Sequence, residues 1–342
     1  MNKESPEYLR TSLAAAMTLG YKNGRFYRNA KLPCINLLLT YSSGCAGNCS
    51  YCGLSMKRPG VYVDKSFIRV EWPTYHIDEI IERINLKSDI IKRICISMIT
   101  NTRCIKDTIY ITKTLKKHLD IPVSLLISPT ILKKENLVEF KQGGADKIGI
   151  AIDCATPQLF EKIRGKNVNG PHKWKEYWQC YKDSITIFGG RNVGVHLIVG
   201  LGETEKEMIE TIQKAYDLGG STHLFSFFPE KDSFLADHPQ PSIGQYRRVQ
   251  IARYLIDEGL GRIDTFSFDD SGRIIDFGIS KEKISSIISL GYPFMTSGCP
   301  GNDGQVACTR PYANCLPGPE IRNYPFQPEE EDIKVIKNQL EN

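Results

Sequence analysis

Leu37-Leu-Leu-Thr-Tyr-Ser-Ser-Gly-Cys45-Ala-Gly-Asn-Cys49-Ser-Tyr-Cys52 runs an apolar stretch straight into a loop with C-x3-C-x2-C spacing. An unbroken apolar run of this kind suits a strand buried on both faces, the mark of a parallel sheet covered by helices. Gly44 and Gly47 let the loop curl so that three thiols face one point. Three thiolates hold three irons of a [4Fe–4S] cube and leave the fourth open, whereas four cysteines close such a cluster for electron transfer. A zinc site favours paired cysteines with a fourth ligand nearby in sequence, and none stands beside this loop.

Outward from the loop, short β-branched runs alternate with longer amphipathic stretches. Strands are predicted at Ile35–Tyr41, Ile94–Ile99, Val123–Ile127, Lys147–Ile152, Asn192–Val199, His223–Phe228 and Ile263–Phe268. Helices are predicted at Ile77–Lys87, Asp107–His118, Lys133–Gln142, Lys173–Phe188, Thr204–Leu218 and Ile243–Glu258. Thr204 ahead of Glu205 and Glu207 suits a helix start, and Gly143-Gly144 and Gly219-Gly220 suit helix ends. Repeated β-then-α units give a parallel sheet with right-handed crossovers. The expected fold is α/β, a TIM-type (β/α) barrel of six to eight units, complete or partial, with a Cys-rich C-terminal extension. Its site belongs at the C-terminal ends of the strands. The expected division is an N-terminal helical extension over 1–33, the barrel over 34–290 and a cluster-binding segment over 291–342.

The net charge of +5 is mild for 342 residues and gives no footprint of a nucleic-acid binder. No apolar run approaches the ~20 residues that span a bilayer, and polar Met1–Arg10 is no signal peptide, so a cytoplasmic protein is expected. Disulfides are rare in that compartment, so the 11 cysteines call for another account. Those clustered in Gly/Pro-rich loops read as metal ligands. Besides the first loop, the tail holds Cys299, Cys308 and Cys315 in C-x8-C-x6-C spacing without a histidine. Such a segment buries little by itself, and metal coordination would order it. Wide spacing without imidazole suits an iron–sulfur cluster better than a zinc finger. A fourth ligand is Cys34 or a serine, unless the site stays open for substrate.

The C-x3-C-x-aromatic-C motif after a first strand resembles the signature of the radical S-adenosylmethionine (SAM) superfamily. In that superfamily the open iron chelates the methionyl group of SAM, and reductive cleavage yields a 5′-deoxyadenosyl radical. The resemblance makes Cys45, Cys49 and Cys52 the cluster ligands and puts Tyr51 near the adenine. His196-Leu-Ile-Val-Gly200-Leu-Gly-Glu203-Thr is similar to the family's G-x-I-x-G-x-x-E element, with His196 in place of its first glycine. That assigns Gly200 and Glu203 to the adenine side. Thr100 and Asn101 stand where the family binds the methionyl amino group, although its Gly-Gly-Glu-like turn is missing. Asp153 stands at the ribose-contacting position and Arg164 at one that pairs with the SAM carboxylate.

Within the superfamily, biotin synthase builds a second cluster from cysteines on inner barrel strands. Here Cys95 falls at one such position, but Ser124 and Gly194 occupy the others. The tail instead resembles the two-protein lipoyl synthase of archaea and some bacteria. The resembling residues are Thr296-Ser-Gly-Cys299-Pro, Cys308-Thr-Arg-Pro-Tyr-Ala-Asn, Pro317-Gly with Arg322-Asn-Tyr-Pro, and Phe268-Asp-Asp-Ser-Gly-Arg-Ile-Ile-Asp-Phe277. That resemblance implies sulfur insertion at C6 or C8 of a protein-bound octanoyl chain, with an auxiliary [4Fe–4S] cluster as donor. It also implies a paralogous radical SAM partner subunit, an octanoylated carrier protein and an electron donor such as ferredoxin, with neither nucleic acid nor membrane. The competing readings are another radical SAM enzyme, such as a peptide or cofactor maturase, and a non-catalytic iron–sulfur scaffold.

Overall fold

The computed structural model describes residues 3–68, 70–313 and 320–341; Cys315 lies outside the described residues. Eight strands form one sheet: β1 (Tyr8–Thr11), β2 (Cys34–Leu39), β3 (Thr74–His76), β4 (Arg93–Ser97), β5 (Val123–Ile127), β6 (Ala145–Asp153), β7 (Val193–Val199) and β8 (Ser221–Ser226). The order is β3-β1-β2-β4-β5-β6-β7-β8. From β2 through β8 every neighbour is parallel, with helices on the crossovers. The result is a partial (β/α) barrel of six parallel strands, at the lower end of the expected range.

Alternation along the strands explains the shape. Ile35, Leu37 and Leu39, Ile94 and Ile96, and Val193, Val195 and Leu197 are all buried. They form the branched aliphatic layer under the helices, each contributing ~1.5–3 kcal/mol. The alternate positions face the barrel interior and toward its middle are mostly small or polar, Cys95, Ser97, Ser124, Gly149, Ala151, Gly194 and His196, with Leu38, Leu126 and Ile198 as apolar members of the wall. Such side chains cannot fill a barrel with a hydrophobic plug, so the interior keeps cavities.

Two expectations are corrected. The N-terminal segment is not simply helical: β1 pairs antiparallel with β2, Leu9 opposite Leu39, and only Leu13–Thr18 forms a helix, capped by the Ser12 side chain. Pairing satisfies the β2 edge, whose N–H and C=O groups would otherwise be bare. Ile263–Phe268 is not a barrel strand. Ile263–Thr265 is a 3-10 turn, and Ser267–Phe268 pairs with Ile274–Asp276 in a separate hairpin. The Asp269 carboxylate accepts from Ser271 N and Arg273 N at 2.9 and 3.0 Å, so local turn chemistry overrides the apolar run.

The other signals place elements well. Thr204 caps helix Glu205–Asp217 in a reciprocal box with Glu207. Gly144 and Gly219, with φ of +106° and +98°, follow helix ends. The tail covers the β8 edge: Leu224 N donates to Ser297 Oγ at 3.1 Å and Arg322 Nη1 to Ser226 Oγ at 3.0 Å. Helix Glu330–Glu341 packs on helix Ile243–Asp257. No helix among the described residues is long and apolar enough to cross a membrane.

Candidate functional site

The loop after β2 is fastened to its neighbours by main-chain bonds. Ala46 N donates to Thr100 O at 2.8 Å, and Met56 N to Cys45 O at 2.9 Å. Backbone N–H groups also point at the sulfurs: Thr100 N and Gly47 N at Cys45 Sγ, both 3.4 Å, and Leu54 N at Cys52 Sγ, 3.5 Å. Gly44 turns the chain at φ +70°. A Cβ at Gly47 would stand 3.0 Å from His172 Nε2 and 3.3 Å from Cys45 Sγ. Burial pushes the Cys45 and Cys52 thiols up, while these N–H donors oppose it. Iron must therefore displace protons when it binds.

All three thiols, Cys45, Cys49 and Cys52, line a cavity of about 190 Å³ over the C-terminal strand ends. Among the described residues no three His, Cys, Asp or Glu side chains converge on one metal ion. A cube of irons takes each thiolate on a different iron and so spreads them. Thiols with N–H donors behind them and a cavity in front fit a [4Fe–4S] cluster with one open iron. The cavity leaves SAM a place beside it.

Tyr51, Asp153 and Arg164 form one buried network on this cavity. The Tyr51 hydroxyl donates to the Asp153 carboxylate, and Arg164 Nη1 pairs with Asp153 Oδ2 at 2.9 Å. Asp153 sits at φ +63°, where β6 breaks register with β7. Burial raises its carboxyl, with Arg164 and Tyr51 opposing. Arg164 also donates to the carbonyls of Ala151 and Ile152, and its Nε is buried without a partner among the described residues. The predicted ribose acid and carboxylate-binding arginine thus share one wall, one arginine donor is still free, and each holds the other.

The remaining predicted SAM residues divide. Thr100 lines the cavity, its hydroxyl 2.9 Å from Ser128 Oγ. Asn101 does not: its amide donates to Ser43 Oγ and Gly44 O at 3.0 and 3.2 Å, bracing the cysteine loop from outside. Nor do Gly200 and Glu203, although Ile198 of the same segment does. The Glu203 carboxylate accepts from Gly200 N and Leu201 N at 2.6 and 3.0 Å, and burial raises it to about 7. These bonds make it the brace of the turn. Gly200 has φ +100°, and a Cβ there would lie 2.5 Å from Pro241 Cδ. Gly200→Ala is expected to cost ~1–3 kcal/mol in denaturant unfolding. Gly60→Ala, at φ +84° with open space around it, should cost ~1 kcal/mol.

A second group of thiols lies in the barrel nearer the N-terminal strand ends. Cys95, Cys299 and Cys308 line a small cavity together with His223 and Ser124. The tail reaches it by crossing from β8, where Ser297 is anchored, to β4, where Arg93 Nε donates to Pro300 O. Cys34, the predicted fourth ligand, is not on that wall. The Cys308 thiol beside it and burial push the Cys34 thiol up. Four residues of the interior received no role from the sequence: His172, His196, His223 and Arg310. His172 is buried against Thr130 and Tyr177, with Nδ1 at 2.6 and 2.9 Å from their hydroxyls, and burial lowers it to about 2. Arg310 donates to Asn36 Oδ1 at 3.1 Å and Ser97 Oγ at 2.7 Å.

Residues 39–215 match the Radical SAM superfamily. The match spans more than half of the chain, and the chain belongs to this superfamily, whose members imply a [4Fe–4S] cluster and SAM. Among solved structures, methylornithine synthase is similar at 13% identity and TM-score 0.51, covering 72% of this chain and 67% of its own. HydG, a maturase of the [FeFe]-hydrogenase, is similar at 14% identity and TM-score 0.52, covering 72% and 58%. The chain therefore spans little more than half of HydG, and at these identities the likeness is one of fold. Among curated proteins none matches the chain.

Proposed function

We propose that the chain is a sulfur-inserting radical SAM enzyme, one component of a two-protein lipoyl synthase acting at C6 or C8 of a protein-bound octanoyl chain. The observation that carries this reading is a common wall: Leu126, His196, Phe225 and Arg310 border both cavities. A substrate lying along that wall has the Cys45 loop at one end and Cys299 and Cys308 at the other. When bound, the two clusters and SAM supply a 5′-deoxyadenosyl radical at the first end and a sulfide at the second. The protein's share is to hold substrate between them, because a radical reacts with what it already touches at ~3–3.5 Å. Leu38, Ile99, Ile198 and Phe227 offer an aliphatic chain an apolar wall, worth about 0.8 kcal/mol per buried CH₂. Asn36 and Ser97 fix the Arg310 guanidinium in the partition between the ends. The reading calls for an octanoylated carrier protein, a paralogous radical SAM subunit and an electron donor such as ferredoxin.

The test is an anaerobic assay of the iron- and sulfide-loaded chain with SAM, reductant and an octanoyl-lysine peptide, with and without the candidate partner subunit. A thiol on the octanoyl chain is expected, in no greater amount than the enzyme present. Formation of 5′-deoxyadenosine without any sulfur-containing product would sink sulfur insertion and favour a maturase-like enzyme. No 5′-deoxyadenosine at all would leave only the scaffold reading.

A further inference from the structure

We infer that the His223 imidazole is a ligand of an iron–sulfur cluster in the second cavity, alongside Cys299 and Cys308, and that Cys34 is not. The inference rests on the reading above only for there being a second centre.

His223 projects inward from β8, and the sequence clears a place for it. Its register partner in the next strand is His196, and its ring leans over Gly194 of that strand, where a Cβ would stand 2.6 Å from His223 Nε2. Two contacts then fix the ring. Nδ1 hydrogen-bonds the Ser297 carbonyl, which can only accept, so Nδ1 carries the proton. The lone pair is left on Nε2, which faces Cys299 Sγ at 4.0 Å. A backbone carbonyl orienting one ring nitrogen while the other faces a metal is the usual arrangement of a metal-bound histidine. Ser297 and Cys299 are two residues apart, so one turn of tail both aims the imidazole and delivers the sulfur.

The wall of the cavity decides between donors. His223, Cys95, Cys299 and Cys308 are on it, and Cys34 is not. Off the wall, Cys34 presents no sulfur to a metal seated in the cavity. The docked tail closes the cavity to about 20 Å³, so a cluster must be seated as the tail docks, coupling assembly to folding of residues 297–310. A purely structural role predicts otherwise: a thiol–imidazole hydrogen bond from Cys299 to Nε2, with no metal.

The experiment uses the full chain with Cys45, Cys49 and Cys52 changed to Ala, so that only the second centre remains. It is loaded anaerobically with ferrous iron and sulfide, reduced, and measured by pulsed electron paramagnetic resonance with natural and ¹⁵N-histidine. A strongly coupled nitrogen that changes with the label is expected. In His223→Cys the iron should stay, the nitrogen coupling should vanish and the reduction potential should fall, because imidazole in place of thiolate raises it. Cys34→Ala should keep both iron and coupling. Iron bound without nitrogen coupling, zinc retained in place of iron, or a His223→Gln variant with unchanged spectrum and potential each overturns the proposal. Nitrogen coupling in a chain that makes no carbon–sulfur bond overturns only the sulfur-insertion reading.

Discussion

Changing Cys45, Cys49 and Cys52 together to Ala is expected to abolish 5′-deoxyadenosine formation, leaving only the background of the assay. The thiols are the sole covalent donors of their loop, and all three line the larger cavity. Alanine removes the sulfurs but leaves the bonds that shape the loop, Ala46 N to Thr100 O, Met56 N to Cys45 O and Cys52 N to Cys49 O. The fold should survive, and unfolding in denaturant should shift little beyond ordinary surface substitutions, about 0.5 kcal/mol. Iron should fall by about four per chain, the content of one cube. Iron analysis and chromatography of the SAM products read both quantities on the same sample. Continued SAM cleavage by the triple variant would remove the basis for every functional statement above.

Much of the barrel could be read before the structure because its information is local. The six parallel strands are runs of five to nine residues between turn signals, and the helices carry caps such as Thr204. The first cysteine loop was legible for the same reason, three donors within eight residues. What escaped is non-local. β1 reads as a polar segment and becomes a strand because the β2 edge needs a partner. Ile263–Phe268 has strand composition, yet the Asp269 turn claims it for a hairpin. Asn101 and Glu203, expected as SAM contacts, also brace their own loops, Asn101 through Ser43 and Gly44 and Glu203 through the Gly200 and Leu201 backbone.

The second site shows the same limit more sharply. Arg310 bonds Asn36 and Ser97, partners 274 and 213 positions away, and no window of sequence contains that wall. Cys95 stands apart from both cysteine clusters in the sequence, yet it shares a cavity with Cys299 and Cys308. His223 lies on a different element from the tail it meets, so a search for imidazole within the tail finds none. The substitution of His196 for the expected glycine also gains a reason. Its ring stacks on Phe225 and lies edge-on to His223, at 5.1 and 5.2 Å between centroids, lining both cavities.

Changing Cys299, Cys308 and Cys315 together to Ala should separate the two ends of the wall. The variant is expected to lose about half its iron, one cube of two. SAM cleavage should persist, since neither Cys299 nor Cys308 borders the larger cavity. Persistent 5′-deoxyadenosine also certifies that the barrel has folded, which keeps the result interpretable. Carbon–sulfur bond formation should be lost entirely, because the carbon would meet no sulfur within reach. Loading the unaltered chain with heavy sulfide gives the complementary measurement. Product made afterwards in unlabelled buffer should carry the heavy isotope, and the second cluster's iron should be released as product accumulates. Light sulfur in the product, or a tail variant that still forms the carbon–sulfur bond, would mean that the tail centre is no donor. The common wall of Leu126, His196, Phe225 and Arg310 would then serve to place a substrate for some other radical reaction.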